Sequence, residues 1–191
     1  MRLRKPRIKP LAEDEATDAQ KAIIATFNPI VQNLNLFRTI LRFPDAFQGL
    51  TAWGNYIQSK KNDLQGRKKE IVILRTSFAD KAAYEWSHHH RIGLSSGLSA
   101  EEIEAIKRDP DDFPWDLSER ILLQAVDELK ADTFISNETW TALAKYYSEK
   151  QMVDIVLTCS HYSQIGKIVN AFGIQLDAGT RRDEDLIAYE G

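Results

Sequence analysis

The sequence predicts an all-α, single-domain helical bundle of about seven or eight helices. Three observations carry this expectation. Apolar residues recur at helical spacing through almost the whole chain. Ser99-Ala100-Glu101-Glu102 and Ser148-Glu149-Lys150-Gln151 are capping boxes, in which a serine and a carboxylate or amide three residues on satisfy each other's free backbone donors. Glycine and proline number only 9 and 6 among 191 residues, so breaks are few.

The first nine residues carry Arg2, Arg4, Lys5, Arg7 and Lys9 with Pro6, and Pro10 follows. Like charges and prolines oppose a helix, so residues 1–15 read as an extended arm and 16–191 as the helical domain. The arm is expected to lie over the body or a neighbouring subunit, with anion binding as the alternative. Ala19 to Phe27 reads as a short amphipathic helix. Leu36 to Ile57 is helical, and Pro44 divides it, since proline lacks an amide donor and crowds the preceding turn. Lys68 to Phe78 contains Ile71-Val72-Ile73-Leu74, the one place where a strand competes. The charged flanks and the spacing of Ile71, Leu74 and Phe78 favour a buried helix. Asp116 with Glu119 opens the helix of Ile121-Leu122-Leu123, and Ser136 caps Trp140 to Tyr147. Met152 to Phe172 is apolar on most sides and should be a central helix.

Composition bounds the function. Hydrophobic residues make up 43% of the chain, enough for one domain that buries roughly 70% of its unfolded surface. The net charge of −3 and pI near 5.8 give no reason to expect nucleic acid or an anionic membrane as partner. No segment reaches the ~18 apolar residues of a membrane span, and no signal-peptide core opens the chain. A soluble cytoplasmic protein is expected. Cys159 is the single cysteine, so an intrachain disulfide, a Cys-x-x-Cys redox pair and a Cys-rich zinc site are all excluded. It reads as a small core residue.

The most informative segment is Ala82-Ala83-Tyr84-Glu85-Trp86-Ser87-His88-His89-His90-Arg91-Ile92-Gly93. On a helix, Ala82, Glu85, Trp86, His89, Ile92 and Gly93 share one inward stripe. A carboxylate and an imidazole there are costly to desolvate unless they pair or do chemistry. Glu85 and His89, one turn apart, are expected within hydrogen-bonding reach. His88 and His90 point about 100° to either side of His89, so the three cannot converge, and His88 shares a polar face with Tyr84 and Arg91.

The order Glu70…Glu85-Trp86-x-x-His89…Gly97-Leu98-Ser99-x-x-Glu102 resembles the carboxymuconolactone decarboxylase family, which includes the alkyl hydroperoxidase D-like proteins. Arg7-Ile8-x-Pro10-Leu11, Asn35-Leu36-Phe37-Arg38-Thr39, Glu70-Ile71-x-Ile73-Leu74-Arg75-Thr76, the block from Ala125 to Ala144 and Asn170-Ala171-Phe172-Gly173-Ile174-Gln175-Leu176-Asp177 extend the resemblance over nearly the whole chain. It implies an all-α fold assembled as a homo-oligomer, a trimer, hexamer or dimer. In the hydroperoxidase branch a glutamate precedes a Cys-x-x-Cys-x-x-x-His helix. On this chain the histidine falls on His89, the cysteines on Glu85 and Ala82, the glutamate on Glu70, and a residue between the cysteines on Tyr84. Dithiol peroxidase chemistry needs a thiolate and a resolving thiol, and both are missing. The decarboxylase branch, which acts on small carboxylated lactones, resembles the chain better through Tyr84-Glu85-Trp86.

These readings name His89, Glu85 and Glu70 as candidate catalytic groups and Tyr84, Trp86, His88, His161, Tyr162 and Arg75 as candidate substrate-binding groups. His89 offers a proton acceptor or a cation, and Glu85 an orienting partner or a second acid/base. His161 and Tyr162 form a polar step on an otherwise apolar helix. The Arg75 guanidinium matches a carboxylate, with a structural salt bridge as the equal alternative. Trp53 and Trp86 read as core or pocket wall. The expected function is a lyase acting on a small acidic cyclic substrate by His/Glu acid–base chemistry, with no cofactor and no metal. The alternatives are a non-catalytic oligomeric binding protein that kept the fold after losing its thiols, and a Glu/His metal site suggested by Glu85-x-x-His88.

Overall fold

In a computed structural model, residues 1–187 are described. The last four residues of the expected 16–191 domain lie outside them. The described residues form ten α-helices and two 3-10 turns, with no strand. The helices are α1 Asp18–Ile24, α2 Pro29–Gln32, α3 Asn35–Ile40, α4 Pro44–Gln58, α5 Gly66–Ala79, α6 Ala83–Ser95, α7 Ala100–Ala105, α8 Leu117–Asp132, α9 Asn137–Leu143 and α10 Glu149–Phe172. The expected seven or eight becomes ten mainly because Asn28 and Pro29 start a helical turn of their own. The Asn28 side chain accepts from the Val31 amide, and Pro29 takes the first helical position, where no amide donor is needed. Pro44 divides the following segment as expected.

Capping residues set the other starts. Thr17, Ser99 and Ser148 each form a complete capping box, and Asp116 and Ser136 accept from the amide three residues on. Gly173 ends α10 at φ +67°, where a Cβ would also press 2.9 Å from Leu3.

Helix α5 is the hub and packs against α6, α8 and α10. Ile71, Val72, Ile73 and Leu74 are fully buried there, so the segment has no solvent face and no alternation to show. One apolar core joins α5, α6, α8 and the first half of α10, with Cys159 inside it. A second joins α3, α4, the start of α6 and the C-terminal half of α10. The site described below lies between the two.

The N-terminal arm lies along the body. The Arg7 and Leu11 amides donate to the Phe172 and Arg38 carbonyls at 2.8 and 3.0 Å, and the Met1 ammonium reaches the Leu186 carbonyl. Among the described residues no helix is long and apolar enough to cross a membrane.

Candidate functional site

Helix α6 is buried on nearly every side. Ala83, Tyr84, Glu85, Trp86, Ser87, His89, His90 and Gly93 are all buried. The expected inward stripe holds except at Ile92, which is 39% exposed and lines the cavity described below. Close packing of α5 on α6 brings Glu70, itself 2% exposed, against His89.

A relay of hydrogen bonds follows. His89 Nδ1 meets Glu70 Oε2 at 2.7 Å, and His89 Nε2 meets the Tyr162 hydroxyl of α10 at 3.0 Å. The Gln58 amide of α4 donates to that hydroxyl oxygen at 2.6 Å. The Tyr162 proton therefore points at His89 Nε2, and the neutral imidazole carries its own proton on Nδ1, facing Glu70; this tautomer is assigned from the network. Glu85 is not the hydrogen-bonded partner that the one-turn spacing suggested. Its Oε2 stands 3.9 Å from His89 Nε2, and its buried Oε1 has no partner.

Burial and charge oppose each other here. Burial works against an imidazolium at His89, but the Glu70 and Glu85 carboxylates outweigh it and raise the pKa. Burial lifts the Glu85 carboxyl above the usual range, and the positive charges of His89 and His88 offset only part of this. His161 goes the other way. Burial, and then the charge of His89, hold it down to about 4, so it is neutral near pH 7.

These groups border a cavity of about 510 Å³. Its apolar lining includes Phe27, Leu36, Phe37, Leu50 and Ile165. Glu85, His88, His89, His161, Tyr162 and Gln58 also line it. Glu70 is not on the wall and acts only through His89.

The other expected residues divide. Tyr84 and His88 line the cavity, and both bond to Asp177: the Tyr84 hydroxyl donates to its Oδ2, which lies 2.8 Å from His88 Nε2. Two expectations are corrected. Arg75 does not reach the cavity. It forms a bidentate pair with Asp127 at 2.6 and 2.7 Å and donates to the carbonyls of Ile106 and Arg108, so its guanidinium is spent on joining α5 to α8. Trp86 is core, not pocket wall. Its Nε1 donates to Asp183 at 2.8 Å and its ring lies beside Phe78. Trp53 sits beside His161, with ring centres 5.5 Å apart. His90 accepts from Arg181, away from the cavity.

Sequence reasoning missed Arg91 as a site residue, although its polar face with His88 was the available signal. It lines the cavity and pairs with no carboxylate among the described residues. Gln58 gave no signal, and Asp177 ended a segment of the resemblance without being named as a site residue; each reaches the site from a distant part of the chain. Among the described residues no three His, Cys, Asp or Glu side chains are placed to hold one metal ion.

Comparisons with known proteins agree with this architecture. Residues 44–113 match the model of the carboxymuconolactone decarboxylase family. No curated protein matches the chain. Among solved structures, the chain is similar to an alkylhydroperoxidase AhpD core protein of Ralstonia eutropha JMP134, an uncharacterized peroxidase-related protein. The TM-score is 0.73 at 18% identity, covering 90% of this chain and 93% of that one. A peroxidase-related protein of Silicibacter sp. TM1040 gives TM-score 0.71 at 16% identity, covering 92% and 91%. The debrominase Bmp8, as a cysteine-to-alanine variant in complex with 2,3,4-tribromopyrrole, gives 0.69 at 18% identity, covering 92% and 94%. These identities establish a shared fold. The family match over 44–113 covers the segment that carries Glu70, Glu85 and His89.

Proposed function

We propose that this chain is a cysteine-independent acid–base enzyme that acts on a small cyclic acid, as a decarboxylating lyase acts on a carboxylated lactone. The observation that carries this reading is the buried Glu70–His89–Tyr162 relay, beside a Glu85 carboxyl whose free oxygen has no protein partner, at the wall of a largely apolar cavity.

The chemistry follows from the charges. Arg91, unpaired on the cavity wall, steers an acid inward. When the carbon–carbon bond to the departing carboxylate breaks, CO2 leaves and the electron pair moves into the conjugated ring and its carbonyl oxygen. The ring carbon then takes a proton from His89 Nε2 or from Glu85. Both hold their protons more firmly than the free side chains do. One proton is consumed per turnover and is replaced from water. Glu70 keeps the imidazole oriented and favours its charged form.

Thiol chemistry has no support here. Cys159 lies in the core and not on the cavity wall, and burial raises its pKa, which disfavours the thiolate nucleophile.

The test is CO2 release, with matching proton uptake, across a panel of carboxylated lactones and related cyclic acids. His89→Gln should cost about 10²–10⁴-fold in kcat. A panel of acids that bind the wild type tightly but release no CO2 overturns the reading.

A further inference from the structure

His161 has no role in the relay, and its surroundings are peculiar. Its side chain lines the cavity and is 6% exposed. Nδ1 is sealed without a hydrogen-bond partner. Nε2 lies on the side of Gly54, which also borders the cavity, and a Cβ added there would stand 3.4 Å from Nε2. The ring is fixed on two sides, by Trp53 at 5.5 Å and by Tyr162, edge-on at 5.4 Å.

A neutral imidazole has one N–H. A proton on Nδ1 would be a buried donor with no acceptor, which is rarer in folded proteins than an under-used acceptor. The proton therefore belongs on Nε2, where it finds no acceptor among the described residues. While His89 is neutral, the Tyr162 proton is taken by His89 Nε2 and is not offered to a ligand.

We propose that His161 is the electrophile of this cavity: its Nε2–H donates to a carbonyl oxygen of the ligand and stabilises the negative charge that gathers there. The ligand class is then a cyclic carbonyl compound that passes through an enolate. A fixed, uncharged donor aimed at a developing oxyanion needs no reorganisation during reaction, and a neutral histidine is a known electrophile for enolate formation. Its low pKa suits the role, since an imidazolium would compete with His89 for the negative groups. The absence of a side chain at Gly54 leaves the nitrogen approachable from α4. The identity of the oxygen rests on the proposed decarboxylase reading; the donor role does not.

The test separates the two. 4-Nitrophenolate serves as an oxyanion mimic, followed by its absorbance on binding. His161→Phe should weaken its binding at least about tenfold, and should lower kcat on any acid turned over by about 10²–10³-fold with little change in KM. Gly54→Ala covers the nitrogen without removing it and should weaken phenolate binding without loss of stability. Long-range proton–nitrogen NMR should show His161 as the Nε2–H tautomer, with that proton moving downfield when the mimic binds. Equal phenolate binding by wild type, His161→Phe and Gly54→Ala overturns the proposal. If phenolate binds through His161 yet no acid releases CO2, the donor role stands and the decarboxylase reading falls. If acids turn over with unchanged kcat in His161→Phe, the reverse holds.

Discussion

Glu85 and His89 stand one helical turn apart, yet no hydrogen bond joins them; His89 Nδ1 goes instead to Glu70, nineteen residues earlier on another helix. The division matters for protons. The folded pKa values of Glu85 and His89 both lie above their ordinary ones, so the folded state keeps protons that the unfolded chain has released. For such groups the stabilising contribution is full below the unfolded pKa and is lost as pH rises through the folded value. Urea midpoints of the wild type, compared with those of Glu85→Gln, should therefore fall as pH rises above the ordinary carboxyl range. Taking the difference cancels the titrating groups that do not interact with Glu85, and leaves Glu85 together with the part of the His89 titration that depends on it. A constant difference would mean that Glu85 ionises in the cavity as it does in water. The spacing rule could find this carboxylate and this imidazole, because residues four apart share a face. It could not find Glu70 as the hydrogen-bonded partner of His89, since only the packing of α5 on α6 makes that contact; the family resemblance named Glu70 as a candidate group but not the contact. Arg75 and Arg91 show the same limit. Both are arginines in helical segments, and only tertiary contacts decide that Asp127 takes the first and leaves the second facing the cavity.

At the level of elements, periodicity and caps read well where a helix has a distinct start or is long. Serine caps fixed the beginnings of α7, α9 and α10. Ile71 to Leu74 was ambiguous because a helix buried on every side has no polar face to reveal its period. The four-residue α2 was not legible, since one turn carries too little pattern. Two glycines on different helices illustrate how packing sets the sign of one substitution. A Cβ on Gly93 of α6 would stand 3.1 Å from Leu98 Cδ1 and 3.2 Å from Leu74 Cδ1, with Ile103 behind. Leu74 and Ile103 are fully buried and have little room to yield. Gly93→Ala should therefore destabilise by about 1–2 kcal/mol despite alanine's better helix propensity. Gly54→Ala meets only ordinary contacts on the cavity side and should gain up to about 1 kcal/mol from that propensity. Thermal or urea unfolding of the two variants decides it. Stabilisation by Gly93→Ala would mean that the core between α5, α6 and α7 is looser than its contacts indicate.

Across the whole molecule, the cavity exists because distant parts of the chain are tied over it, and Asp177 is the principal knot. After α10 ends at Gly173, the chain turns back so that Asp177 accepts from the Asn35 amide at 2.8 Å, from the Tyr84 hydroxyl and beside His88 Nε2. Asn35 returns the tie by donating from its side chain to the Gln175 carbonyl at 3.1 Å. Burial alone would raise this carboxyl's pKa, but His88, Tyr84 and the Asn35 amide together hold it below the usual range. The ionised form is thus part of the fold. One side chain joins the start of α3, the first turns of α6 and the C-terminal tail, and α3 and α6 supply Leu36, Phe37 and Tyr84 to the cavity wall. Replacing it by alanine leaves three partly buried partners without their shared acceptor. Such a loss typically costs about 2–4 kcal/mol. Asp177→Asn keeps one acceptor oxygen, enough for the Asn35 amide, but sets an NH2 against the Tyr84 hydroxyl and His88 and drops the charge, so it should recover only part of the alanine loss. Urea unfolding ranks the three proteins. If Asp177→Ala loses under about 1 kcal/mol, a figure typical of exposed pairs, the apolar contacts of α3 close the cavity without the strap. The strap also predicts local behaviour. In Asp177→Ala, amide exchange should quicken at Asn35 and Leu36 while the α5 amides stay protected, because the hub packs through contacts that the knot does not touch.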